Sequence, residues 1–117
     1  MANPLKFFRK NTCTIILDVC DFTFHDGDAI YFTVKLKPDS DQDDSDALIK
    51  ESWTYGTDVT ADSNGSLYLI IPASDTDIDY GDYFYDIKLV ANSQDPVAEN
   101  TLATGVFTIM DVATLRV

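Results

Sequence analysis

Long apolar runs are absent from this 117-residue chain, and with them any segment of the ~20 residues that a membrane-spanning helix needs. The opening stretch, Met1-Ala2-Asn3-Pro4-Leu5-Lys6-Phe7-Phe8-Arg9-Lys10, holds no apolar core of the kind that starts a secretory leader. If Met1 is the natural start, the chain is expected to be made, and first to fold, in a cytosol. Basic side chains are scarce: eight Lys and Arg stand against 20 acids, 18 of them Asp, for a net charge of −12. Such a field repels nucleic acid and anionic lipid, so neither nucleic acid nor membrane is expected as a partner. One histidine and two cysteines leave little from which to build a zinc site or a disulfide framework. Cys13 and Cys20 fall on one predicted strand, which would set their Cα atoms roughly 23 Å apart at ~3.3 Å per residue. A disulfide needs them within ~7 Å, so no internal bridge is predicted. The odd spacing also puts the two on opposite faces, with Cys13 joining Ile15 and Leu17 inside as a buried thiol.

Hydrophobic residues at 45% and aromatics at 12% predict a folded globule, and the length suits a single domain over residues 1–117. Residues 4–10 read as an edge strand or arm anchored by Phe7 or Phe8. Residues 13–19 follow as the first clear strand. His25-Asp26-Gly27-Asp28 marks a tight connection into residues 29–37, where Ile30, Phe32, Val34 and Leu36 alternate with Tyr31, Thr33, Lys35 and Lys37. Pro38 ends that strand, since it has no N–H to give a ladder. Residues 39–46 carry five Asp and must be an exposed loop, because so many carboxylates cannot be buried unpaired.

Residues 48–55 are predicted as a strand with Ile49, Trp53 and Tyr55 on one side, and Glu51 on that same side. Ser63-Asn64-Gly65 signals a turn before a strand over 66–71, which Pro72 stops. Residues 73–78 are expected to make a short helical or turn-like crossing, capped by Ser74 or Asp75. From Tyr83 the chain sends Tyr83, Tyr85, Ile87 and Leu89 to one face and Asp86 and Lys88 to the other. Residues 97–101 and 104–110 read as a last strand, bent or broken around Gly105. Seven or so short strands with turn signals between them predict an all-β fold, an antiparallel β-sandwich of about seven strands without an internal disulfide.

Chemistry-bearing residues are sparse and scattered. The Asp-rich loop offers hard oxygen ligands, but Asp44 stands where an EF-hand requires glycine and Lys50 where it requires glutamate, so no calcium is expected. His25 has no nucleophile elbow, oxyanion-hole loop or zinc-ligand set around it, and no phosphate-binding glycine loop is present. No catalytic, metal or cofactor residue is assigned. Tyr31, Trp53, Tyr55, Tyr68 and Tyr80 could form an aromatic platform for sugar, although ordinary packing and β propensity explain them better. Lys6, Arg9 and Lys10 concentrate three of the eight basic side chains at one end, so Lys6, Phe7, Phe8, Arg9 and Lys10 form the candidate interface, facing an acidic neighbour or another copy.

Two resemblances extend this reading. Asp79-x-Gly81-x-Tyr83 resembles the signature preceding the sixth strand of immunoglobulin-like domains. It implies a structural corner at Asp79, Gly81 and Tyr83, with the tyrosine bonding back to the backbone. Tyr85 stands where antibody domains carry cysteine, so their disulfide is not implied. Along a wider span, His25-Asp26-Gly27-Asp28-Ala29-Ile30-Tyr31-Phe32-Thr33-Val34-Lys35 resembles the opening of small phage and prophage tail or baseplate domains. Asp46-Ala47-Leu48-Ile49-Lys50, Ala73-Ser74-Asp75-Thr76, Tyr80-Gly81-Asp82-Tyr83-Phe84-Tyr85-Asp86-Ile87 and Gly105-Val106-Phe107-Thr108-Ile109 continue it in order. The series is similar to the N-terminal domain of baseplate upper proteins. It implies an immunoglobulin-like, non-enzymatic accessory protein of a phage tail, assembled in the bacterial cytoplasm and carried in the virion. Its partners would be other tail proteins or further copies of itself. The competing expectation is a carbohydrate-binding or adhesion module using exposed aromatics.

Overall fold

The computed structural model describes residues 4–18, 24–36, 47–92 and 98–110. They form seven strands: β1 (Leu5–Phe8), β2 (Cys13–Asp18), β3 (Ala29–Lys35), β4 (Ile49–Thr54), β5 (Ser66–Ile71), β6 (Gly81–Ala91) and β7 (Ala98–Met110). No described residue is helical. The strands sort into a five-stranded sheet in the order β1-β7-β6-β3-β4 and a two-stranded sheet of β2 and β5. Every pairing between these strands is antiparallel except one: β1 runs parallel to β7, with Leu5 opposite Phe107 and Phe8 opposite Met110. The expected wholly antiparallel arrangement is corrected at that edge. Local alternation carries no information on the direction in which an edge strand docks.

Alternation decides what each strand buries. Cys13, Ile15 and Leu17 point inward from β2, and Leu67, Leu69 and Ile71 from β5. Ile30, Phe32 and Val34 of β3 are wholly buried, as are Leu89 of β6 and Phe107 of β7. Both sheets contribute to one core cluster, in which the Phe32 ring lies 5.9 Å from both Tyr85 and Phe107. Burying such a side chain stabilises the fold by roughly 1.5–3 kcal/mol, so this shared core is the main term holding the two sheets together.

Three local findings refine the sequence reading. β7 is continuous through Gly105, and its irregularity lies instead at Leu102. Ile87 pairs with Ala103 and Lys88 with Thr101, which leaves Leu102 as the extra residue. Residues 73–76 form turns, with the Asp75 N–H on the Pro72 carbonyl at 3.0 Å. Glu51 does share the inward side of β4 with buried Ile49 and half-buried Trp53. Cys20, Pro38 and the Asp-rich loop at 39–46 lie outside the described residues.

Candidate functional site

The basic N-terminal stretch lies along an edge of the five-stranded sheet. Alternation along β1 turns Phe7 inward, where its ring stands 5.6 Å from Phe107, and turns Lys6 and Phe8 outward. Phe7 is therefore the anchor, and Phe8 is 47% exposed. Past the strand, the Arg9 N–H donates to the Met110 carbonyl at 3.0 Å. The Arg9 Nε reaches Asp77 Oδ1 at 3.2 Å, and its guanidinium lies 6.0 Å from the centre of the Tyr80 ring. Lys10 adopts φ 64°, a conformation uncommon outside glycine, and sends its N–H to the Thr76 carbonyl at 3.4 Å. Thr76 is fully buried, and its Oγ1 lies 2.9 Å from the Asn11 carbonyl and 3.1 Å from that of Ala73.

The Asp79–Tyr83 corner adjoins this end. The Tyr83 hydroxyl donates to the Asp79 carbonyl at 2.5 Å, and burial pushes its pKa upward. Gly81, at φ 148°, occupies backbone space that side chains rarely enter, and it opens β6 opposite Ile109. Asp82, exposed on the other face, accepts the Thr108 hydroxyl at 2.7 Å. Phe84 pairs across the sheet with Val106, and both remain 38% exposed on the outer face that carries Lys6 and Phe8. The two sets of residues read separately from the sequence thus meet at one end of the five-stranded sheet, joined through Thr76, Asp77 and Tyr80. Asp77 carried no sequence signal, because its partner Arg9 is 68 positions away. Phe84 did carry one: an inward Tyr83 turns its neighbour outward. Comparison of the chain with protein-family models, with curated proteins and with solved structures finds no match.

The aromatic platform disperses. Trp53 and Tyr55 pack against the core, and Tyr55 stacks on Phe24 at 5.0 Å. Tyr68 faces out from β5 with its hydroxyl on Asp62 at 3.0 Å, while Tyr80 sits beside Arg9. Tyr31 lines a shallow hollow of about 310 Å³ shared with Thr33, Asp86, Lys88, Val90 and Glu99. Lys88 and Glu99 approach there to 3.8 Å. His25 donates its backbone N–H to buried Asp28 at 3.1 Å, which ties the tight connection before β3. Burial pushes the Cys13 thiol up to about 11, leaving it a poor nucleophile at neutral pH. Among the described residues, no group of three or more His, Cys, Asp or Glu is arranged to hold a metal.

Proposed function

We propose that this chain is a non-enzymatic structural module of a phage or prophage tail or baseplate, docking on its neighbours through the β1 end. The observation that carries the reading is the edge position of β1, which puts Lys6 and Phe8 on the same outer face as exposed Phe84 and Val106. Exposed aromatics with a basic rim are the composition of a docking surface, and an edge strand adds free backbone groups for a partner's strand. The overall charge of −12 gives a basic end selectivity for acidic neighbours. The ordered resemblance of its motifs to tail and baseplate domains motivates the phage reading and, with it, a proposed place in the virion tail after assembly in the host cytoplasm.

The module is read as an immunoglobulin-like β-sandwich. Three features support that architecture: a single core fed by both sheets, a parallel β1–β7 edge, and a tyrosine hydroxyl bonded back to the turn before β6. Pull-down with proteins encoded beside this one, together with light scattering, tests the docking role. Capture of a tail protein, or assembly of the chain with itself, is expected, and Phe8→Asp should weaken either by about tenfold or more. A strict monomer that captures none of them would overturn the proposal.

A second reading, a carbohydrate-binding module, is favoured by the Tyr31 groove, where a half-exposed ring lies beside carboxylate, ammonium and hydroxyl groups. Tyr31→Ala would then abolish binding on a glycan array. Trp53, being packed on the core, is the wrong residue with which to test it.

A further inference from the structure

Alternation along β4 sends Glu51 toward the protein interior, while its neighbours Lys50 and Ser52 point to the opposite face. Asp75, in the turn that leaves β5, lies within hydrogen-bonding reach of it. Asp75 Oδ2 is buried and meets no donor among the described residues. Two ionised carboxylates are acceptors only, so this contact is satisfied when one of the two carries a proton. Among the described residues the inward positions of the facing strands carry no cation: β3 presents Ile30, Phe32 and Val34, and β5 presents Leu67, Leu69 and Ile71. The nearest charges along the turn itself are Asp77, already paired with Arg9, and Asp79.

We propose that Glu51 and Asp75 form a proton-held latch, in which one shared proton fastens the turn after β5, and through it the N-terminal end, to strand β4. The bearing of this latch on docking rests on the function proposed above. The connection is short in sequence. Asp75 faces Glu51, Thr76 holds Lys10 and Asn11, and Asp77 holds Arg9. Three consecutive residues therefore couple the acid pair to the basic segment. With the proton in place, the turn and the docking end are held. Loss of the proton sets two negative charges against each other at the base of the turn and loosens both.

The hydrogen bond to Asp75, burial and the Asp75 charge, in that order, push the Glu51 carboxyl up to about 7 from an ordinary 4.5. A folded-state value above the unfolded one means that the contribution is complete below 4.5 and is lost as pH rises through about 7. The latch thus opens across the neutral range.

The test is a carbon-detected NMR titration of the Glu51 side chain in the wild-type protein alone, following the Lys10 amide and Arg9 Nε–H in the same samples. A Glu51 midpoint near 7, with the Lys10 and Arg9 signals shifting at that pH, is expected. A midpoint near 4.5 would overturn the pair, and a midpoint near 7 that Lys10 and Arg9 ignore would overturn the latch. Glu51→Gln supplies a permanent amide donor to Asp75. It should flatten the fall in melting temperature that the wild type shows between about pH 5 and 8. Retention of the whole fall by that variant would also count against the proposal. No partner is present in these measurements, so a failed docking role leaves them standing, and a failed latch leaves the pull-down result standing.

Discussion

Tyr83 places a phenol almost wholly inside the protein, and its hydroxyl proton has one carbonyl to satisfy, that of Asp79. Tyr83→Phe keeps the ring and deletes the bond, stranding the carbonyl at the turn. The loss should be about 1 kcal/mol or more in urea unfolding. An unchanged midpoint would mean that the corner does not depend on the bond. Asp62 works at the opposite end of the charge scale. Its Oδ1 receives the N–H groups of Asn64 and Ser66, each at 2.9 Å, and its Oδ2 the Tyr68 hydroxyl. The Ser66 bond is the largest of the causes that hold its pKa below the ordinary 3.8. A depressed carboxylate stabilises above its unfolded value and loses that contribution as pH falls through its folded one. Asp62→Asn should therefore melt lower than the wild type at pH 7, with the gap closing toward pH 3. A gap that stays constant with pH would show that charge is not what Asp62 contributes.

At the scale of the strand, β1 is short and owes its place to one side chain. Phe7→Ala removes the ring set against Phe107 and should cost about 2 kcal/mol, less than a fully buried phenylalanine because Phe7 is only partly covered. Phe8→Ala, on the outward side, should stay within about 0.5 kcal/mol. Thermal melts of the two variants decide it, and equal losses would refute the assigned facing. Alternation made most of the strands legible from sequence: the Cys13, Ile15, Leu17 side of β2, the Ile30, Phe32, Val34 side of β3 and even the inward Glu51 follow from period two alone. Leu36, expected on that β3 face, instead lies past the end of the strand and is exposed. What alternation cannot reach is pairing. The parallel docking of β1 and the extra residue at Leu102 depend on the partner strand's register, which no local pattern carries. The candidate site divides along the same line. Lys6, Phe7, Phe8, Arg9 and Lys10 stand out by composition, whereas Thr76 reaches the adjoining Asn11, and Asp77 reaches Arg9, only through contacts 65 and 68 residues apart.

Among the described residues the basic side chains sit with one sheet. Lys6, Lys35, Lys50 and Lys88 lie on strands of the five-stranded sheet and Arg9 and Lys10 just past β1, while β2 and β5 carry no basic residue. On β2 and β5, Asp18 accepts the Ser66 hydroxyl beside exposed Ile16, Tyr68 and Ile70. With a net −12 in so small a chain, repulsion between carboxylates opposes the compact state at neutral pH. Chloride salt screens that repulsion, because the Debye length contracts from ~30 Å at 0.01 M to ~8 Å at 0.15 M. Relief of roughly 0.5–1 kcal/mol would raise the melting temperature by about 2–5 °C at pH 7. Near the isoelectric pH of about 4.1 the net charge vanishes, and the salt effect should vanish with it. Differential scanning calorimetry across the two conditions makes the comparison. A melting temperature that falls with salt at pH 7 would mean that ion pairs such as Arg9–Asp77 outweigh the general repulsion. In that case screening would weaken both the folded state, through its ion pairs, and the association of the basic end with an acidic neighbour.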